Sequence, residues 1–175
     1  MAARSIFLAT ALSVGLCGCA GTKPKPVELA RTPPTPAKLS VAVPQGWLYR
    51  NSSTAEGLEA VELMRLDERG MLTAQAKVMR QPAANFDVPG TIRDVAKVIW
   101  NAGGHVVFGL DASKPLDRVA YTITQDGVEL AGLIIFKQAT GRPDELVAVQ
   151  ARWLASLNGE IRPEIDAIIG SADIK

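Results

Sequence analysis

The sequence predicts an α+β fold, a mainly antiparallel β-sheet flanked by helices. Three observations lead there. Apolar residues alternate in several separate runs, which is the period of half-buried strands. Several of those runs are joined by short turn signals, Asp67-Glu68-Arg69-Gly70 and Asp126-Gly127, which suit hairpins. Helical spacing occurs in only two stretches, so the order reads strands, helix, strands, helix.

The elements follow in order. Leu39 to Val43 alternates and stops at Pro44-Gln45-Gly46, a turn leading into Trp47 and Tyr49, which predicts strand, tight turn and second strand. From Glu59 to Met79 the chain reads as a hairpin. Val61, Leu63 and Arg65 alternate with Ala60, Met64 and Leu66, and Leu72, Ala74, Ala76 and Val78 line one face after the turn. A helix over Ala55 to Leu66 is the rival local reading. Thr91 is placed to cap a helix whose stripe is Ile92, Val95, Ala96 and Ile99, with Gly103-Gly104 as its stop. Val119, Tyr121 and Ile123 alternate, Asp126-Gly127 turns the chain, and Val128 to Phe136 is apolar enough for a central strand covered on both faces. Val147, Val149, Ala151 and Trp153 alternate with Ala148, Gln150 and Arg152. Pro163 then suits a first helical turn, with Ile165, Ile168 and Ile169 as the apolar side of a closing helix. No internal repeat is evident.

The N-terminus reads differently. Arg4 supplies a positive start, Ile6 to Leu16 is an apolar run of 11 residues, and small residues surround Cys19. That run is short of the roughly 20 residues a membrane-crossing helix needs. Leu16-Cys17-Gly18-Cys19 resembles the bacterial lipobox: an aliphatic residue, two small residues and a cysteine. The resemblance implies cleavage after Gly18 and a diacylglyceryl group on the sulfur of Cys19, with Cys17 as the one departure from the usual pattern. An ordinary secretory signal with two cysteines is the alternative. Residues 1–18 are thus read as a lipoprotein signal peptide. Residues 19–37 are read as a lipidated cysteine and a Pro-rich tether, and 38–175 as one globular domain. In the tether, Pro24, Pro26, Pro33, Pro34 and Pro36 exclude helix and ladder, leaving an extended chain of about 3.1 Å per residue where it is polyproline-like. Both cysteines lie in this N-terminal part, so the domain itself has no thiol and no internal disulfide. Ala20, rather than Asp, follows Cys19; by resemblance to lipoprotein sorting signals this favours the outer membrane over the inner.

The segment Leu39-Ser-Val-Ala-Val-Pro-Gln-Gly-Trp47 resembles the opening of PsbP-like domains, which include the DcrB and LpqN lipoprotein groups. Gly103-Gly104-His-Val-Val-Phe108, the long hairpin and the Ile-Ile-Gly-Ser171 helix end fit the same plan. The resemblance spans about 38–174. It implies an α/β/α sandwich, a protein-binding or assembly role, and no shared catalytic residue set.

The residues themselves offer little chemistry. There are 19 basic and 18 acidic residues. Arg4 leaves with the signal and the tether holds Lys23, Lys25 and Arg31 against Glu28, so the domain is about two charges negative and lacks the basic stripe of a nucleic-acid binder. His105 is the sole histidine and reads as a strand-edge residue. The serines at Ser52-Ser53, Ser113, Ser156 and Ser171 lie in no nucleophile elbow, which argues against acyl transfer. One histidine and one acylated cysteine are too few for zinc, and Asp111, Asp117 and Asp126 lack the spacing of a calcium loop. No metal and no other cofactor is predicted. Glu56, Glu59 and Glu62 would share a helix face as an acid cluster, whereas on a strand Glu59 would point away from the other two. Gly103-Gly104 and Gly127 are turn glycines, followed by no phosphate-loop pattern. Of Trp47, Trp100 and Trp153, Trp100 at the helix end, on the stripe with Ala96, is the candidate partner-binding residue.

The expectation is therefore a non-enzymatic, membrane-tethered periplasmic lipoprotein that binds an envelope protein as an accessory or assembly module. An immunity role would be a special case of such binding. A carrier of a small apolar or lipid ligand, held between sheet and helices, is the alternative. A hydrolase using the Glu56, Glu59 and Glu62 carboxylates is the third reading.

Overall fold

The computed structural model describes residues 39–54, 57–108 and 116–175. The signal peptide, Cys19 and the tether lie outside the described residues. The strands are β1 (Leu39–Ser40), β2 (Trp47–Ser53), β3 (Glu59–Leu66), β4 (Leu72–Pro82), β5 (His105–Phe108), β6 (Arg118–Gln125), β7 (Val128–Ala139), β8 (Arg142–Leu154) and β9 (Asp173–Ile174). Helix α1 (Val88–Asn101) separates β4 from β5. A 3-10 turn (Ala155–Leu157) and helix α2 (Asn158–Ser171) separate β8 from β9.

Seven strands form one sheet in the order β2-β3-β4-β8-β7-β6-β5, antiparallel throughout. The long β7–β8 hairpin is its centre, and there alternation does not appear as apolar against polar because both faces are covered. Leu133 and Ile135 of β7 point toward α2, packing with Val147, Val149, Ile161 and Ile165. Ile134 and Phe136 point toward α1, packing with Ile92, Val95 and Ile99. The layers are helix, sheet, helix, and the fold class is α+β as the strand order implied. The β1–β9 ladder pairs Leu39 with Ile174 and Ser40 with Asp173, joining the two ends of the domain.

The hairpins form where turn chemistry placed them. Asp126 (φ 52°) and Gly127 (φ 78°) both take left-handed backbone, the requirement of a tight primed turn. Asp67 turns β3 into β4, its Oδ1 accepting from Arg69 N at 2.9 Å and Met71 N at 2.8 Å.

Four local expectations need correction. The strand expected over Leu39–Val43 is limited to Leu39–Ser40 and pairs with the chain's end, not with β2; Val41 and Val43 still pack on the core without joining a ladder. Leu72 leaves the face of Ala74, Ala76 and Val78, because the register slips between Arg65 and Leu66 and one extra residue reverses the alternation. The cap of α1 is Asp87, whose Oδ1 accepts from Gly90 N at 2.9 Å; Thr91 lies inside the first turn and donates its hydroxyl to Asp87 O at 2.8 Å. Pro163 sits inside α2, since the chain turns helical directly after β8 and α2 begins at Asn158. The rival helix does not form over the described part of Ala55–Leu66: Glu59–Leu66 is strand β3.

Candidate functional site

Helix α1 crosses only part of its face of the sheet. The register defines what it leaves open. One row runs Arg50, Glu62, Lys77, Gln150, Ile134 across β2, β3, β4, β8 and β7. The next runs Met64, Gln75, Arg152, Gly132, Tyr121 from β3 to β6. Together they line a groove of about 380 Å³.

Its charges are ordered. Glu62 accepts from Arg50 Nε at 2.6 Å and from Ser52 Oγ at 3.2 Å, and Lys77 Nζ lies 3.5 Å away. Burial would raise the Glu62 carboxyl, but the hydrogen bond and charge of Arg50, with Lys77 and Ser52, outweigh it and hold it below its ordinary value. Among the described residues the lining thus carries Arg50, Lys77 and Arg152 and the carboxylate Glu62.

Tyr121 is placed by a glycine. A Cβ on Gly132 would lie 2.5 Å from the Tyr121 hydroxyl oxygen and 2.6 Å from its Cε1. The hydroxyl end of the ring therefore lies over Gly132, whose cross-strand partner on β8 is Arg152. Burial raises the Tyr121 pKa, only partly offset by the charge of Arg152, so the phenol stays protonated and can donate. Beyond this row the slipped Leu72 joins Leu130 and Leu154, all half-buried, in an apolar strip that also borders Arg152.

A second feature lies at the sheet edge. β5 is the last strand, and among the described residues nothing pairs with its outer side. Val107 is 60% exposed, Phe108 38% and, on the adjoining α1, Trp100 69%. The stripe of α1 closes on Ile99; Trp100, one helical step further, turns off it rather than continuing from Ala96, which is buried. Trp47 and Trp153 are core residues, their indole N–H groups donating to Glu164 Oε2 at 2.8 Å and Asn158 Oδ1 at 3.0 Å.

Cys19, Glu56, Asp111 and Ser113 lie outside the described residues. Glu59 and Glu62, three apart on β3, point to opposite faces: Glu62 into the groove, Glu59 to the side of Arg80 and Glu145. They form no acid pair. His105 is the exposed first residue of the edge strand. Ser171 Oγ donates to Ile168 O at 3.0 Å and accepts from Ala42 N at 3.0 Å, so it serves as a terminal clasp. Among the described residues no three His, Cys, Asp or Glu side chains gather as metal ligands, and no helix is long and apolar enough to cross a membrane.

The sequence singles out Trp100 at the helix end, which is exposed, and the groove has no counterpart among the sites it singles out. Its one sequence signal was Gly132, a glycine inside the apolar run Val128–Phe136, where close approach of another group is the usual reason.

No protein-family model matches the chain, and no curated protein matches it. Among solved structures it is similar to LpqN of Mycobacterium tuberculosis, a protein described as involved in cell envelope biogenesis. The two share 11% identity over 78% of this chain and 83% of that one, with a TM-score of 0.47.

Proposed function

We propose that the protein is a non-enzymatic binding module, tethered by a lipid on Cys19 to the periplasmic side of the envelope, the outer membrane in preference to the inner. It captures a segment of an envelope protein along the β5 edge. The observation that carries this reading is the edge itself: His105-Val106-Val107-Phe108 has no acidic, lysine, arginine or proline residue to discourage pairing, and it adjoins exposed Trp100. An extended partner strand would gain main-chain hydrogen bonds from β5 and apolar contact from Val107, Phe108 and Trp100. The lipobox and the proline tether supply the setting, holding the domain near a membrane that it need not penetrate.

Two measurements test the parts separately. Palmitate labelling is expected to be lost in Cys19→Ala and kept in Cys17→Ala; labelling that survives Cys19→Ala removes the anchor. Co-purification of a partner from solubilised envelopes is expected to fail for Val107→Lys and to weaken for Trp100→Ala. Undiminished recovery with Val107→Lys removes the edge from the account.

A further inference from the structure

The groove under the free end of the α1 face has a composition that the edge-binding role does not use. It is a gradient. Lys77 and the Arg50–Glu62 pair stand at one side, Arg152 and the Tyr121 hydroxyl in the middle, and Leu72, Leu130 and Leu154 at the other. A sheet face open only to water has no need of half-buried leucines beside an arginine and a neutral phenol. Nor is the Tyr121 position an accident of packing, since it exists only because residue 132 lacks a Cβ.

We propose that this groove binds a single-chain amphiphile whose head is an oxyanion. The guanidinium of Arg152 and the hydroxyl of Tyr121 present donors from adjacent register positions, a pairing suited to a carboxylate or phosphate oxygen. Lys77, next to Gln75 and Gln150, adds positive charge beside the Arg50–Glu62 pair, so among the described residues the lining is net positive, as an anionic head requires. The alkyl portion lies along the leucine strip. The charged part of the groove holds about 380 Å³ and the adjoining leucine hollow, which shares Leu72, Gln75 and Arg152 with it, about 70 Å³, room for one short chain and not for a two-chain lipid. The slip in register at Arg65/Leu66 has a role here: it turns Leu72 out of the core face and into the strip.

The test uses the full chain in native envelopes and a 12-carbon carboxylate carrying a diazirine near its tail. Photolabel is expected in peptides containing Leu130 and Leu154. Unlabelled dodecanoate and dodecyl phosphate are expected to compete at least about tenfold better than dodecanol, as a hydrogen bond to a charged group implies. The stronger of the two anions identifies the head group. Arg152→Met should reduce labelling about tenfold or more. Gln150→Glu, which adds a carboxylate to the row without altering side-chain length, should reduce it while leaving the unfolding transition in place. Equal competition by dodecanol, label confined to other peptides, or full labelling of both variants overturns the proposal. Because Val107→Lys lies on the edge strand and outside the groove lining, its partner binding and this labelling fail independently.

Discussion

Replacing Gly132 with alanine isolates the contact that shapes the groove. The new methyl would stand 2.5 Å from the Tyr121 hydroxyl oxygen and closer still to Cζ, inside any real carbon contact. The atoms it meets belong to a half-buried ring packed on the sheet, so relief requires Tyr121 to rotate away from Gly132. Overpacking of this kind costs about 1–3 kcal/mol. With Tyr121→Ala already in place the collision is gone, and Gly132→Ala should stabilise the strand by about 0.5–1 kcal/mol. The double-mutant cycle therefore carries a coupling of at least about 1.5 kcal/mol, readable from urea midpoints of the four proteins. Additive effects of the two substitutions would refute the stacking of Tyr121 on Gly132, and with it the placement of the phenol beside Arg152.

Three further outcomes follow from single contacts. Asp87→Ala should destabilise by about 0.5–2 kcal/mol by uncapping α1, whereas Thr91→Ala, a half-buried residue already inside the helix, should stay within about 0.5 kcal/mol in thermal unfolding. Glu164 accepts from Trp47 Nε1 and Arg65, tying β2 and β3 to α2, so Glu164→Ala should cost about 1–3 kcal/mol and Glu164→Gln, which keeps an acceptor, clearly less. Since the Glu62 carboxyl is held below its ordinary value in the folded state, its stabilising contribution is complete above the unfolded value and is lost as pH falls through the folded one. The stability gap between the parent protein and Glu62→Gln should then close in acid; a gap constant from neutral pH down to below about 4 would contradict the Arg50–Glu62–Lys77 arrangement.

Much of the fold was legible because its signals are local. The four buried residues of α1 are the four of its stripe, and both hairpin turns sit on their Asp and Gly residues. What escaped was non-local or one residue deep. No local pattern announces that Leu39 pairs with Ile174, at the far end of the domain. A bulge reverses Leu72 against its own alternation, and the helix cap moved to Asp87 because Pro89 can occupy the first turn ahead of Thr91. The groove was hidden for a related reason. Arg152, Gln150, Lys77 and Glu62 each read singly as the solvated side of a strand; only the register places them in two adjacent rows and shows that α1 stops short of covering them. Trp100 stood out as a large aromatic at a helix end, a local signal, but the spacing put it on the stripe with Ala96, whereas it lies exposed off that stripe.

The central claim, capture of an envelope partner along the β5 edge, is tested most directly by crosslinking from both edges of the sheet. A photo-reactive residue is placed at Val107 on β5 or at exposed Asn51 on β2, each in the full chain expressed in its own envelope. The expected result is a discrete adduct from position 107, weakened when Trp100→Ala is added, and none from position 51. An adduct from position 51 alone, or none from position 107, would contradict the account.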